Sequence, residues 1–257
     1  MKSVTFSYAQ TSSNQFADIF DGRKVFDNPK SYTDLERLVA YLSEPGDTVM
    51  DFFAGSNTSF HGLLLANAKE RTPRRMVAVQ MAEPIRPNGE ASTNALAMGL
   101  NTIADVARER IRRVIANDDD VPSDTGVRCF RIAPSSIRPW TGVEEKDADA
   151  YEEQLSAFAD TLVDGWKPEN VVWEVALREG YPLTSSVTSE ERGGQRFWRV
   201  ADADRAVSFH ACLDDTLSLE AVRELGLDTD DLFVCRDTAL DDTLAANLAL
   251  QCRLKVL

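Results

Sequence analysis

No two of the four cysteines form a Cys-x-x-Cys pair, and the chain has only two histidines, His61 and His210. Cys129, Cys212, Cys235 and Cys252 therefore read as reduced, mostly buried thiols, and a zinc site is not expected. No apolar run approaches the roughly 20 residues that a membrane helix needs. No apolar stretch follows Met1-Lys2-Ser3-Val4-Thr5, which argues against a secretory signal. A cytoplasmic protein without a membrane partner is expected. Positive charge is also scarce: 28 Lys and Arg stand against 42 Asp and Glu, a net charge of -14. Nonspecific binding to nucleic acid needs clustered cations to displace counterions, and the chain as a whole lacks them. The absence of GxGxxG and of GxxxxGK[ST] argues against a dinucleotide fingerprint and a P-loop.

What is present is a globular balance, 43% hydrophobic and 27% charged over 257 residues, enough for one large domain or two modest ones. Residues 117–126 read as an acidic loop, and the polar stretch 141–149 as a domain boundary. Upstream, Leu35, Leu38, Val39 and Leu42 recur at helical spacing and predict a helix over 33–43. Residues 48–53, 76–80 and 127–132 predict three strands. Between them fall a helix over 59–68 and a long helix marked by Ile103, Ala107, Ile111, Val114 and Ile115. Such alternation predicts a mainly parallel sheet covered on both faces. Downstream, Tyr151, Leu155, Phe158, Ala159 and Leu162 share a helical face, and a second helix covers 169–179. Strands over 196–200, 206–212, 232–235 and 254–257, with helices over 219–225 and 242–251, complete a smaller α/β unit.

The informative segment is Asp51-Phe52-Phe53-Ala54-Gly55-Ser56-Asn57-Thr58, which joins the first strand to a helix. Small residues let the backbone approach a ligand closely. The helix start beyond them presents free N–H groups and a positive dipole end, which favour a carboxylate. An Asp at the strand end suits an ammonium group. The turn fits the zwitterionic end of an amino-acid ligand, and it fits equally a tight turn in which Gly55 merely permits packing. His61 reads as a surface or capping residue of the following helix rather than a base. Arg108, Arg110, Arg112 and Arg113 read as a solvated helix surface rather than a phosphate site. Asp237, Asp241 and Asp242 read as turn and capping residues, not metal ligands. Trp140, Trp166, Trp173 and Trp198 read as core or interface anchors.

Val25-Phe26-Asp27-Asn28-Pro29-Lys30, a helix, and then Asp51 to Ser56 is similar to two motifs of DNA amino-methyltransferases with permuted motif order. The helix from Ile103 to Arg113, the stretch from Phe130 to Trp140, and Val234-Cys235-Arg236-Asp237 with Asp241, Asp242, Asn247 and Lys255-Val256-Leu257 extend the likeness. Over almost its whole length the chain resembles the C-terminal part of type III restriction-modification modification subunits. The resemblance implies a partial Rossmann-like methyltransferase three-layer sandwich over 1–142, followed by an α/β unit over 143–257 for dimerisation or partner docking. It implies S-adenosyl-L-methionine as cofactor, on the loop residues Asp51, Phe53, Ala54, Gly55, Ser56, Asn57 and Thr58. Pro29 and Lys30 would close over the methionine end, and Gln80 or Glu83 would hold the ribose hydroxyls.

Three positions depart from the family pattern: Asn57 for Gly, Ser31 for Pro and Ala133 for Asp. Asn tolerates the left-handed backbone that the turn needs. The largest departure is that Asp-Pro-Pro-Tyr, the catalytic motif, occurs nowhere in the chain. The resemblance places it, with target recognition, in a preceding half. Base flipping and amine alignment need that pocket, so the chain alone is expected not to methylate DNA, and no catalytic residue is assigned. Expected partners are DNA through the separate half, a second copy or an N-terminal modification half, and a restriction subunit. The alternative reading is a non-catalytic scaffold or remnant.

Overall fold

The computed structural model describes residues 8–117, 121, 125–139, 148–157 and 160–257. The chain is a mixed α/β protein of two compact units, Met1–Arg131 and Ile132–Leu257. Most of the acidic loop, residues 141–147 of the polar stretch, Trp140, Phe158 and Ala159 lie outside the described residues.

The first unit runs α1 (Ala9–Ile19), α2 (Tyr32–Leu42), β1 (Thr48–Asp51), α3 (Thr58–Glu70), β2 (Arg75–Ala78), α4 (Glu90–Ala97) and α5 (Ile103–Asn117). The Ser31 hydroxyl accepts the Asp34 N–H at 3.2 Å and so caps α2. Helices α2 and α3 approach so closely that a Cβ on Gly62 would lie 2.7 Å from the Glu36 backbone nitrogen. Strands β1 and β2 are parallel, in the register Val49↔Met76, with α3 as the crossover. Val49 and Met76 pack against Val39, Leu63 and Ala66 of the two helices.

Among the described residues of this unit, the other face of this pair carries exposed apolar side chains. Met50 is 59% exposed and its neighbour Val77 45%, and Phe52 and Val79 just beyond the strand ends are exposed as well. The expected third strand is not among the described sheets. Residues 127–132 are irregular and exposed, with Ile132 97% accessible. A strand inside a parallel sheet is apolar on both faces, whereas this run alternates apolar residues with Arg128 and Arg131. Among the described residues, the sheet of this unit is therefore the parallel β1-β2 pair, without the expected strand over 127–132. Helices α1 and α4, unforeseen in the sequence, add a second core of Phe16, Phe20, Val25, Ala95 and Val106.

The second unit runs α6 (Ala148–Ala157), α7 (Pro168–Arg178), β3 (Ser186–Arg192), β4 (Gln195–Asp202), β5 (Val207–Cys212), α8 (Leu219–Arg223), β6 (Leu232–Cys235), a 3₁₀ turn Asp237–Ala239, α9 (Asp242–Ala249) and β7 (Arg253–Val256). Its sheet has the order β3-β4-β5-β6-β7, antiparallel over the first three strands and parallel over the last three. Alternate residues of β4 and β5 feed two cores. Trp198, Val200, Phe209 and Ala211 meet Val171, Val172, Val175 and Ala176 of α7. Phe197 and Cys212 meet Ala221, Val222 and Leu248 of α8 and α9. This sheet is covered on both faces. Asp241 caps α9 by accepting the Leu244 N–H at 2.7 Å, as the sequence suggested. Cys212, Cys235 and Cys252 are buried and reduced; Cys129 is exposed. No helix among the described residues is long and apolar enough to cross a membrane.

Candidate functional site

The turn after β1 closes on β2. Its backbone is pinned by the Ala54 N–H donating to the Val79 carbonyl at 3.1 Å and the Gly55 N–H donating to Gln80 Oε1 at 2.7 Å. Gly55 and Asn57 are both left-handed, at φ 52° and 58°, and Asn57 sits at the N-cap position of α3. Asn thus carries a backbone that would strain most residues. Its side chain does not cap the helix, but donates from Nδ2 to the Ala107 carbonyl of α5 at 3.4 Å. The first-turn amides of α3 have no intrahelical acceptors, as at any helix start.

Asp51 ends β1 half-buried. One carboxylate oxygen accepts the Phe53 N–H at 3.1 Å and the other the Ser59 hydroxyl at 2.5 Å, which ties the strand end to the first turn of α3. Ala54, Ser56 and Thr58 are buried and form the floor of the turn, whereas the Phe53 ring is 81% exposed.

Under that floor lies Arg110 of α5, fully buried. Its Nη1 donates to the Thr58 hydroxyl at 2.7 Å and to the carbonyl and hydroxyl of Ser56, both at 3.2 Å. Its Nη2 lies 3.3 Å from His61 Nδ1, and its guanidinium stacks over Phe16 at 5.0 Å. Among the described residues no carboxylate pairs with it. Burial pushes its pKa down to about 9, which still leaves it charged at neutral pH. His61 is held at about 3 by its own burial and then by the Arg110 charge, so it is neutral. It stacks on Tyr32 with ring centroids 4.2 Å apart. That stack brings the start of α2, just after Pro29 and Lys30, to the first turns of α3. Pro29 is buried and Lys30 exposed.

The structure thus gathers Asp51 to Thr58 and Gln80 into one hydrogen-bonded turn, with Tyr32 linked to it through His61. Glu83 is exposed, and its carbonyl accepts the Ile103 N–H. Gln80 uses Oε1 on Gly55 and Nε2 on the Met81 carbonyl at 3.2 Å.

Two expectations are corrected. His61 is a buried core residue, not a surface one, because Tyr32 covers it. The Arg cluster is not a uniformly solvated surface: Arg110 is wholly buried, and Arg113 reaches Asp21, Glu109 and the Ile19 carbonyl. Arg108 pairs with Asp105 and Arg112 with Glu109. Sequence reasoning put Arg110 on the solvated surface, though its place on the same helical face as Val106, Ala107 and Val114 was a usable signal of burial. Among the described residues no cluster of metal-ligating side chains occurs.

Comparison with known proteins adds descent. The chain is 24% identical over 200 residues to the Mod subunit of the type III restriction-modification enzyme EcoP15I of Escherichia coli, covering 76% of this chain and 28% of the subunit. It is 32% identical over 123 residues to the StyLTI Mod subunit of Salmonella typhimurium, covering 46% and 18%. It is 28% identical over 113 residues to the type II methyltransferase M.KpnI of Klebsiella pneumoniae, covering 44% and 26%. No family model matches. The chain is a distant relative of type III modification subunits and of a type II methyltransferase, and it spans less than a third of the length of these relatives.

Proposed function

We propose that this chain is the S-adenosylmethionine-binding, C-terminal part of a site-specific DNA adenine-N6 methyltransferase of the type III modification-subunit kind. The observation that carries the reading is the turn from Asp51 to Thr58, which offers an uncapped helix start, a strand-end carboxylate and an underlying buried cation. These groups suit the carboxylate and ammonium of a methionine moiety. When bound, the cofactor supplies an electrophilic methyl on sulfur. The chain's residues hold and orient its amino-acid end, with Lys30 closing over it and Gln80 or Glu83 toward the ribose.

Methyl transfer to adenine in DNA then requires an N-terminal half that brings Asp-Pro-Pro-Tyr and target recognition. The parallel β1-β2 pair is read as a fragment of a Rossmann-like three-layer sandwich, and its open apolar face at Met50, Phe52, Val77 and Val79 is the surface which that half covers. Residues 1–142 form the cofactor part. Residues 143–257 serve dimerisation or docking of a restriction subunit, in the cytoplasm.

One observation favours the second reading, a non-catalytic scaffold or remnant: Gln80 is engaged by Gly55 and Met81. Tritiated methyl transfer to duplex DNA decides between them. The chain alone is expected to be inactive, and a separately produced N-terminal half carrying Asp-Pro-Pro-Tyr is expected to restore transfer. No transfer by the reconstituted pair supports the scaffold.

A further inference from the structure

A guanidinium without a counterion is rare in a protein interior, because desolvating a charge costs several kcal/mol unless it is paired. Among the described residues Arg110 is such a group, with no carboxylate paired to it. It is 0% exposed, its cation lies over the Phe16 ring, and its Nε finds no acceptor among the described residues. Three of its hydrogen bonds go to neutral oxygens of Ser56 and Thr58, and the fourth contact is a neutral imidazole. Hydrogen bonds of this kind position the guanidinium without cancelling its charge. They also fix where the charge lies: against Ser56 and Thr58, the residues on either side of the N-cap of α3. A cation kept in so dry a place, beside the free amides of a helix start, creates a local potential that an incoming anion relieves.

We propose that Arg110 is a positioning and specificity residue: its buried charge makes the turn from Asp51 to Thr58 select ligands that carry a carboxylate. The inference rests on the cofactor reading above and adds a residue and a selectivity to it. Arg110 acts through Ser56 and Thr58 and does not touch the ligand. At a separation of roughly 6 Å and the effective dielectric of a half-buried site, such a charge favours an anion by about tenfold or more. Burial lowers the pKa of Arg110, and the Tyr32 side chain opposes that shift only in part.

The test compares two probes that differ only in the carboxylate, S-adenosylmethionine and its decarboxylated form, by calorimetry on three folded proteins. These are the wild-type chain, Arg110→Gln, which keeps donors toward Ser56 and Thr58 but removes the charge, and Arg110→Lys, which keeps the charge. Wild type is expected to prefer the carboxylate form by about tenfold or more. Arg110→Gln is expected to lose most of that preference by weakening the carboxylate form alone, and Arg110→Lys to keep most of it. A full preference in Arg110→Gln, or equal weakening of both probes, overturns the inference and leaves the cofactor reading standing. If Arg110→Gln does not fold, loss of the preference in folded Arg110→Lys overturns it, and retention supports it. Binding of neither probe by the folded wild-type chain overturns the cofactor reading, and the inference with it.

Discussion

Gln80 Oε1 accepts the Gly55 N–H at 2.7 Å, so the end of β2 holds the left-handed glycine of the turn that follows β1. The two residues are 25 positions apart, and the bond joins the two strand ends at the place where a ligand of the turn would rest. Gln80→Ala removes the acceptor and is expected to cost about 1 kcal/mol in urea unfolding, with several-fold weaker cofactor binding. Gln80→Glu keeps an acceptor and is expected to unfold near the wild-type midpoint. Equal midpoints for Ala and wild type would show that the bond holds nothing in solution.

Asn57 holds φ 58° and ψ 40°. Gly adopts this backbone freely, and a β-branched residue does not. Asn57→Gly is expected to change stability by less than about 1 kcal/mol, the relief of the backbone offsetting the lost contact to Ala107. Asn57→Val is expected to destabilise by roughly 1–2 kcal/mol. The ranking is read from denaturant midpoints, and a Val variant as stable as the Gly variant contradicts the assigned conformation.

His61 gives the fold an acid-sensitive core. Burial, then the Arg110 charge, hold it at about 3 against an ordinary 6.5, so the folded chain keeps it neutral while the unfolded chain protonates it below 6.5. Stability is therefore full above pH 6.5 and falls as pH drops toward 3, by about 2 kcal/mol at pH 5. His210 is shifted in the same direction by its burial and Arg199, so the readout is the difference between wild type and His61→Asn. Glu109 is held at about 2, chiefly by its hydrogen bonds from Arg112, so its stabilisation is present above its ordinary 4.5 and is lost only as pH falls below that value. The window from pH 6.5 to 4.5 belongs to the histidines. A smaller loss across it in His61→Asn is expected; identical slopes would place the proton elsewhere.

Much of the scaffold was legible because helical period and apolar strand runs report local burial directly. Helices α2, α3, α5, α7, α8 and α9 and strands β1, β2, β4, β5, β6 and β7 all fall where period and composition put them, within a few residues. The exceptions have physical causes. Strand β3 is a polar edge strand, Ser186-Val187-Thr188-Ser189-Glu190-Glu191-Arg192, half of a hairpin whose turn is Gly193-Gly194, both at positive φ. That glycine pair was its one signal. Helix α1 carries only Phe16 and Ile19 as large apolar anchors, too few for a periodic pattern, and is held instead by the Phe16–Phe20 stack and the Arg110 and Arg113 cations over those rings. At residues 127–132 the apolar count suggested a strand, but the interleaved arginines leave it without a buried face. In the site, the turn from Asp51 was legible by its small residues, and so was the tolerance of Asn57. The buried Arg110–His61–Tyr32 link was not, because it joins three helices that no local pattern connects.

The most direct measurement is calorimetric titration of the purified chain with S-adenosylmethionine, beside an Asp51→Ala variant shown by circular dichroism to be folded. Asp51 anchors both Phe53 and Ser59 and faces the amino-acid end of the ligand in the proposed site. The expected result is saturable one-site binding by wild type that weakens about tenfold or more in the variant. No binding by the folded wild-type chain, or equal affinity in Asp51→Ala, would contradict the placement of the cofactor on this turn.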